Sequence, residues 1–195
     1  PFFDPLCDSR LPDVAELLDA LPLSKNLADL KARRDREIRD IITGKSKKFL
    51  IIIGPCSAHN EEAVCEYVSR LGTLQLQVAG ECVIVPRIYT NKPRTTGTGY
   101  KGMAHQPDPR ENPDMMEGLK AIRRMQIRAI EESGLTAADE MLYPDNTAYM
   151  ADVLSYIAIG ARSVENQQHR LVASGLDCAA GMKNPTSGDI EVMLN

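Results

Sequence analysis

The sequence contains no apolar run long enough to cross a membrane. The longest, FLIII at residues 49–53, is far short of the roughly 20 residues that a spanning helix requires. The first residues also lack the basic-then-apolar order of a secretory signal. CxxC pairs are missing too. The five cysteines, Cys7, Cys56, Cys65, Cys82 and Cys178, are odd in number and scattered, which argues against a disulfide framework or a structural zinc site. Histidine is scarce, and His59, His105 and His169 show no H-x-x-x-H spacing, so each reads as a surface or core residue rather than a metal ligand. Nor is there an excess of positive charge: 27 acidic residues against 23 basic ones leave a formal net charge of −4, so the molecule as a whole offers no polyanion-binding surface. The expectation is a cytoplasmic protein of a reducing compartment, with no nucleic-acid and no membrane partner, whose anion sites must be locally concentrated.

What is present is an ordinary globular composition. Of 195 residues 43% are apolar and 26% charged, enough for one sizeable core and incompatible with a disordered or collagen-like chain. Residues 11–46 read as a helical extension: Val14, Leu17, Leu18 and Leu21 fall at helical spacing, and a second segment from Leu27 through Ile42 stops at Gly44. From residue 47 the pattern changes to β-branched apolar strands, each followed by an amphipathic helix, as in a parallel sheet covered on both faces. KFLIIIG precedes a helix from about Glu61 to Val78, with Val64, Tyr67, Val68, Leu71 and Leu74 on one face. CVIVPRIY is the second strand. After a long loop, Asn112 as cap, Pro113 in the first turn and Gly134 as terminator bound the next helix. AADEML, a helix at 147–156, IAIGARS, a helix at 165–173 and CAAGMKN complete the alternation. Residues 47–195 thus have room for about five units of roughly 30 residues each, where a closed (β/α)8 barrel needs eight. Two architectures fit: a five-stranded doubly wound sheet, or the first part of an eight-stranded barrel.

Both α/β architectures gather functional groups at the carboxyl ends of the strands. Strand one ends at Cys56. Strand two carries Arg87 and leads into a loop with Lys92 and Arg94. Strand three carries Glu140, strand four ends at Arg162 and strand five at Lys183. Five cations at one rim of an acidic protein suit small, multiply anionic substrates, because guanidinium and ammonium groups neutralise phosphate and carboxylate. Each residue also has a plainer reading. A cysteine after an apolar strand is commonly a small buried hydrophobe, Arg87 could snorkel to the surface, Lys92 and Arg94 could be solvated loop charges, and Glu140 could be an ion-pair partner. Lys183 could equally be a Schiff-base lysine. GTGYKG at residues 97–102 matches G-x-G-x-x-G, but no helix follows it, so it is not a dinucleotide fingerprint.

Five blocks carry a resemblance: IIIGPCSAHN, PRIYTNKPRTTGTGYKG, GLTAADEML, IGARSVENQQHRLVASGL and GMKNPTSGD. In this order they resemble the N-terminal part of the class I 3-deoxy-D-arabino-heptulosonate 7-phosphate (DAHP) synthases, the enzymes that open the shikimate pathway of aromatic amino acid biosynthesis. The resemblance implies a (β/α)8 barrel over residues 47–195, here about its first five units, preceded by a helical extension at 1–46 used in oligomer contacts and regulation. It implies condensation of phosphoenolpyruvate with erythrose 4-phosphate, with release of phosphate. Arg87, Arg162 and Lys183, with the backbone at Gly160 and Ala161, would hold phosphoenolpyruvate. Lys92, Pro93, Arg94 and Thr95 would line the erythrose phosphate site, with Lys92 near the reacting groups, and Glu140 would orient phosphoenolpyruvate or water. Cys56 would be the thiolate ligand of a divalent metal of the Mn2+, Fe2+ or Co2+ class, which would polarise the aldehyde. A homo-oligomer and an aromatic amino acid as feedback inhibitor are implied, with LYPDNTAY at residues 142–149 near the inhibitor region. The family's remaining metal ligands, a histidine, a glutamate and an aspartate, lie after the strands found here, so the chain is expected to be a portion of a synthase, inactive alone. The alternatives are a Schiff-base aldolase using Lys183, and a non-catalytic fragment that binds phosphorylated metabolites or a partner chain.

Overall fold

The computed structural model describes residues 11, 13–91, 100 and 102–194. Two helices lead the chain: α1, Val14–Ala20, opened by a capping box between Asp13 and Glu16, and α2, Lys25–Ile42, capped by Ser24. Then follow β1, Phe49–Ile53, α3, Glu61–Val78, β2, Cys82–Pro86, and α4, Met115–Ser133. After these come β3, Ala137–Glu140, a 3-10 turn at Pro144–Tyr149, β4, Leu154–Ile159, α5, Gln167–Ser174, β5, Ala179–Met182, and the single turn α6, Glu191–Leu194.

Three local expectations are corrected. Asp114, not Asn112, caps α4, because its Oδ1 accepts the Glu117 N–H at 3.0 Å, which leaves Pro113 outside the helix. The helix expected at 147–156 does not form. The chain makes only the 3-10 turn and enters β4 at Leu154, because a β-branched and aromatic run that can pair with strands on both sides outweighs a local helical spacing. Leu74, assigned to the buried face of α3, is 43% exposed.

Among the described residues the five strands pair only in parallel and neighbours follow chain order, β1 beside β2 and β3-β4-β5 together. This sequential order lacks the reversal that defines a doubly wound sheet. The two groups meet at one seam, where a single bridge joins Arg87 to Ala138 and the Ile88 N–H donates to Ala138 O at 2.8 Å. Toward the start of the strands the seam opens, and side chains satisfy the β2 backbone. Gln75 accepts the Ile84 N–H at 2.7 Å and donates to Cys82 O at 2.9 Å. The buried Arg34 donates to Ile84 O at 2.6 Å. The Gln75 amide thus stands where a neighbouring strand would be. Because an unsatisfied buried backbone group costs about 1–3 kcal/mol, Gln75→Leu should destabilise the fold by roughly 2–4 kcal/mol in urea unfolding; a loss under about 0.5 kcal/mol would mean that water replaces the amide.

One face of the sheet, with Leu50, Ile52, Val83, Val85, Ala138, Tyr156 and Ala179, packs under Ile38 and Ile41 of α2. On the other face α3 covers β2 through Leu71 and Ile84, and the main core joins Leu17 and Leu27 to Val64, Val68, Leu119 and Ile122. The outer residues of β1 are left open: Phe49 is 73% exposed, Ile51 37% and Ile53 44%. Among the described residues no helix is long and apolar enough to cross a membrane.

Candidate active site

The carboxyl ends of the strands converge around Tyr89. Strand alternation places Arg87 and Tyr89 on the same side of the chain leaving β2, and the Arg87 guanidinium carbon lies 4.0 Å from the Tyr89 ring centroid. From β5, Lys183 Nζ reaches the same ring at 4.8 Å. Tyr89 is buried, and burial pushes its phenol up to about 12, so it stays neutral and serves as an aromatic surface for two cations. Lys183 Nζ also donates to Glu140 Oε2 at 2.8 Å. Glu140 is mostly buried and Lys183 partly exposed, which fits a carboxylate that aims an ammonium group outward. A Cβ at Gly160 would meet Glu140 Oε1 at 2.3 Å; the glycine leaves room for this carboxylate.

The segment carrying Cys56 is held to the same mouth at two points. Gly54 lies so close to Arg87 that a Cβ there would meet its carbonyl oxygen at 2.2 Å, and the Ala58 N–H donates to Tyr89 O at 2.8 Å. Cys56 between them is exposed. Arg162, in the turn that follows β4 and is closed by Ser163 N–H on Gly160 O at 2.8 Å, is exposed.

Sequence reasoning passed over Tyr89, Thr90 and Asp139. Asp139 is buried, and its Oδ1 accepts the N–H groups of Thr90 at 3.0 Å and Glu140 at 2.7 Å, while Oδ2 accepts the Thr90 hydroxyl at 2.5 Å. Desolvation raises its carboxyl to about 7, the hydrogen bonds from Thr90 and Glu140 opposing that rise. A raised folded-state value means the native protein holds a proton that the unfolded chain has released between about pH 4 and pH 7, so this group's contribution to stability falls as pH rises through that window. Asp139→Asn should flatten the stability-versus-pH curve there, removing a downward slope that approaches about one proton; an unchanged curve in denaturant titrations would count against it. An acidic residue inside the otherwise buried run AAD was the available signal. A cavity of about 40 Å³ lies beside it, lined by Asn91, Asp139, Glu140 and Asn146 among others.

Arg87, Glu140, Gly160 and Lys183 are therefore brought together around Tyr89, with Cys56 on a segment tied to the same point. Lys92, Pro93, Arg94 and Thr95 lie outside the described residues. Among the described residues no three histidine, cysteine, aspartate or glutamate side chains converge to hold a metal ion.

The model of the DAHP synthetase I family matches residues 24–195. The chain belongs to the DAHP synthetase I family. A phospho-2-dehydro-3-deoxyheptonate aldolase of Haemophilus influenzae is 40% identical over 188 residues, which is 96% of this chain and 51% of that protein. The Phe-sensitive enzyme of the same name from Escherichia coli K12 is 41% identical over 185 residues, 95% of this chain and 52% of that protein. The solved structure of a phospho-2-dehydro-3-deoxyheptonate aldolase from Francisella tularensis superposes with a TM-score of 0.91 at 33% identity, covering 98% of this chain and 55% of that one. This DAHP synthetase family chain thus spans about half the length of the curated relatives it matches.

Proposed function

We propose that this chain is the phosphoenolpyruvate-binding part of a DAHP synthase, which condenses phosphoenolpyruvate with erythrose 4-phosphate and water to give DAHP and phosphate. The observation that carries the reading is the pair of cations, Arg87 and Lys183, set against one buried tyrosine ring at the carboxyl ends of strands in a family of phospho-sugar aldolases. Arg87 and Lys183 would take the phosphate and carboxylate of phosphoenolpyruvate. Arg162 would close on the same anion from the third side, with the backbone at Gly160 and Ala161 beneath it. Glu140 would orient Lys183, or a water, at the enol. Lys92, Pro93, Arg94 and Thr95 would form the erythrose phosphate site, Lys92 acting at the reacting groups.

The sequential parallel strands, the open outer face of β1 and the half-length coverage of relatives support residues 47–195 as about five units of a (β/α)8 barrel; residues 1–46 would be an extension for oligomer contacts and regulation, an assignment that rests on the family resemblance. The Phe-sensitive relative supports an aromatic amino acid as inhibitor. The described residues do not make a metal site by themselves; Cys56 would contribute one sulfur, and one thiolate does not hold a divalent ion. The Schiff-base reading of Lys183 is disfavoured by its carboxylate partner at 2.8 Å and its partial exposure, which differ from the desolvated apolar pocket that activates many imine-forming lysines.

Calorimetric titration of phosphoenolpyruvate without metal tests the reading. Saturable binding is expected, weakened at least about tenfold in Arg87→Ala, as for loss of one charge-assisted contact. No phosphate release is expected from this chain with manganese and both substrates. Absence of binding would defeat the proposal, and robust turnover would defeat its claim of incompleteness.

A further inference from the structure

The proposed site straddles the seam: Arg87 and Tyr89 leave β2, whereas Glu140 and Lys183 leave β3 and β5. The backbone ladder across it consists of the single Arg87–Ala138 bridge. Continued regularly past the Ile88 N–H on Ala138 O, a parallel ladder would send the Glu140 N–H to Ile88 O and the Thr90 N–H to Glu140 O. Both N–H groups instead donate to one atom, Asp139 Oδ1, and the Thr90 hydroxyl takes Oδ2. One buried carboxylate thereby gathers donors from both strand ends at the level of the mouth.

We infer that Asp139 is a positioning residue that splices the two strand groups beyond their last ladder pair and so sets how far Arg87 stands from Lys183. This role rests on the phosphoenolpyruvate reading, because the spacing matters only if one ligand bridges the two cations. Asp139 touches no ligand in this role; it acts through Thr90, next to Tyr89, and through Glu140, which holds Lys183. An asparagine would keep the role: its Oδ1 accepts the same two N–H groups and its Nδ2 donates to the Thr90 hydroxyl. An alanine would leave both N–H groups without their acceptor.

Amide hydrogen exchange resolved by residue, with phosphoenolpyruvate titration, tests the inference on this chain. In the wild type, Thr90 and Glu140 should exchange at least about a hundredfold more slowly than free peptide, although they lie past the ladder. Asp139→Ala should remove that protection while β1 and β4 keep theirs, and should weaken phosphoenolpyruvate binding by about tenfold or more, the fold-change expected for an orphaned buried group. Asp139→Asn should stay within about threefold of wild type in both readouts. If Asp139→Ala does not fold, wild-type exchange and Thr90→Val decide, the latter expected to speed exchange at Thr90 alone. Unprotected Thr90 and Glu140 in the wild type, or full affinity in a folded Asp139→Ala, would overturn the splice. Wild-type protein that binds no phosphoenolpyruvate would defeat the functional reading instead, and the exchange pattern would still judge the splice.

Discussion

Replacing Arg123 by methionine is expected to lower the unfolding free energy by about 3–5 kcal/mol, the range for breaking a buried ion pair at one partner. Arg123 on α4 is fully buried, and its guanidinium serves three residues in two separate segments. Nε donates to Leu21 O at 2.7 Å, between α1 and α2; Nη1 donates to Tyr149 O at 3.0 Å; and both terminal nitrogens grip Asp152, each at 2.7 Å. The group thus pins the leading helices and the turn before β4 onto α4. Methionine keeps much of the volume, so the loss reports the polar contacts rather than a cavity. The partners left behind are two carbonyls and a carboxylate that is 38% exposed; water can reach the last, which is why the lower half of the range is as acceptable as the upper. Urea unfolding at neutral pH is the measurement. A change under about 1 kcal/mol would show that the extension is held by Leu17 and Leu27 in the core rather than by this contact.

The second large effect belongs to Gly54→Ala. A Cβ there would fall 2.2 Å from Arg87 O and 2.9 Å from Arg87 C and Cβ. These are largely backbone atoms of a chain already fixed by the Arg87 N–H on Ile53 O at 2.8 Å, so no flexible side chain can yield. Overpacking of this kind costs about 1–3 kcal/mol and more where backbone must move. The clash sits at the root of Arg87, so phosphoenolpyruvate affinity should fall by tenfold or more along with stability, since about 1.4 kcal/mol of lost binding is tenfold. Gly80→Ala provides the control. Nothing lies within 4 Å of a Cβ at Gly80, and that variant should match the wild type within about 0.5 kcal/mol. Equal behaviour of the two alanine variants in thermal unfolding and calorimetry would refute the close-approach explanation.

The helices were readable because their signals are local. Gly134 at φ +70° closes α4, and the spacing of Val64, Val68 and Leu71 already names the buried face of α3. Residues 147–156 were misread for the same reason. Their spacing is compatible with a helix in isolation, and only the availability of β3 and β5 as partners makes Leu154–Ile159 a strand.

The sequence by itself determined most of the alternation of strand and helix and the chemical types standing at the strand ends, Cys56, Arg87, Glu140, Arg162 and Lys183, because each depends on neighbours within a turn or a pleat. It also carried the family, through blocks of residues in order. Tertiary structure alone decided which strands adjoin, where the seam opens, and which side chains close it. The Lys183–Glu140 pair joins positions 43 apart, the Thr90–Asp139 contact positions 49 apart, and the Arg123–Leu21 contact positions 102 apart. Contacts at such separations exist only after chain entropy has been overcome by burial of the whole core, so no local pattern foreshadows them.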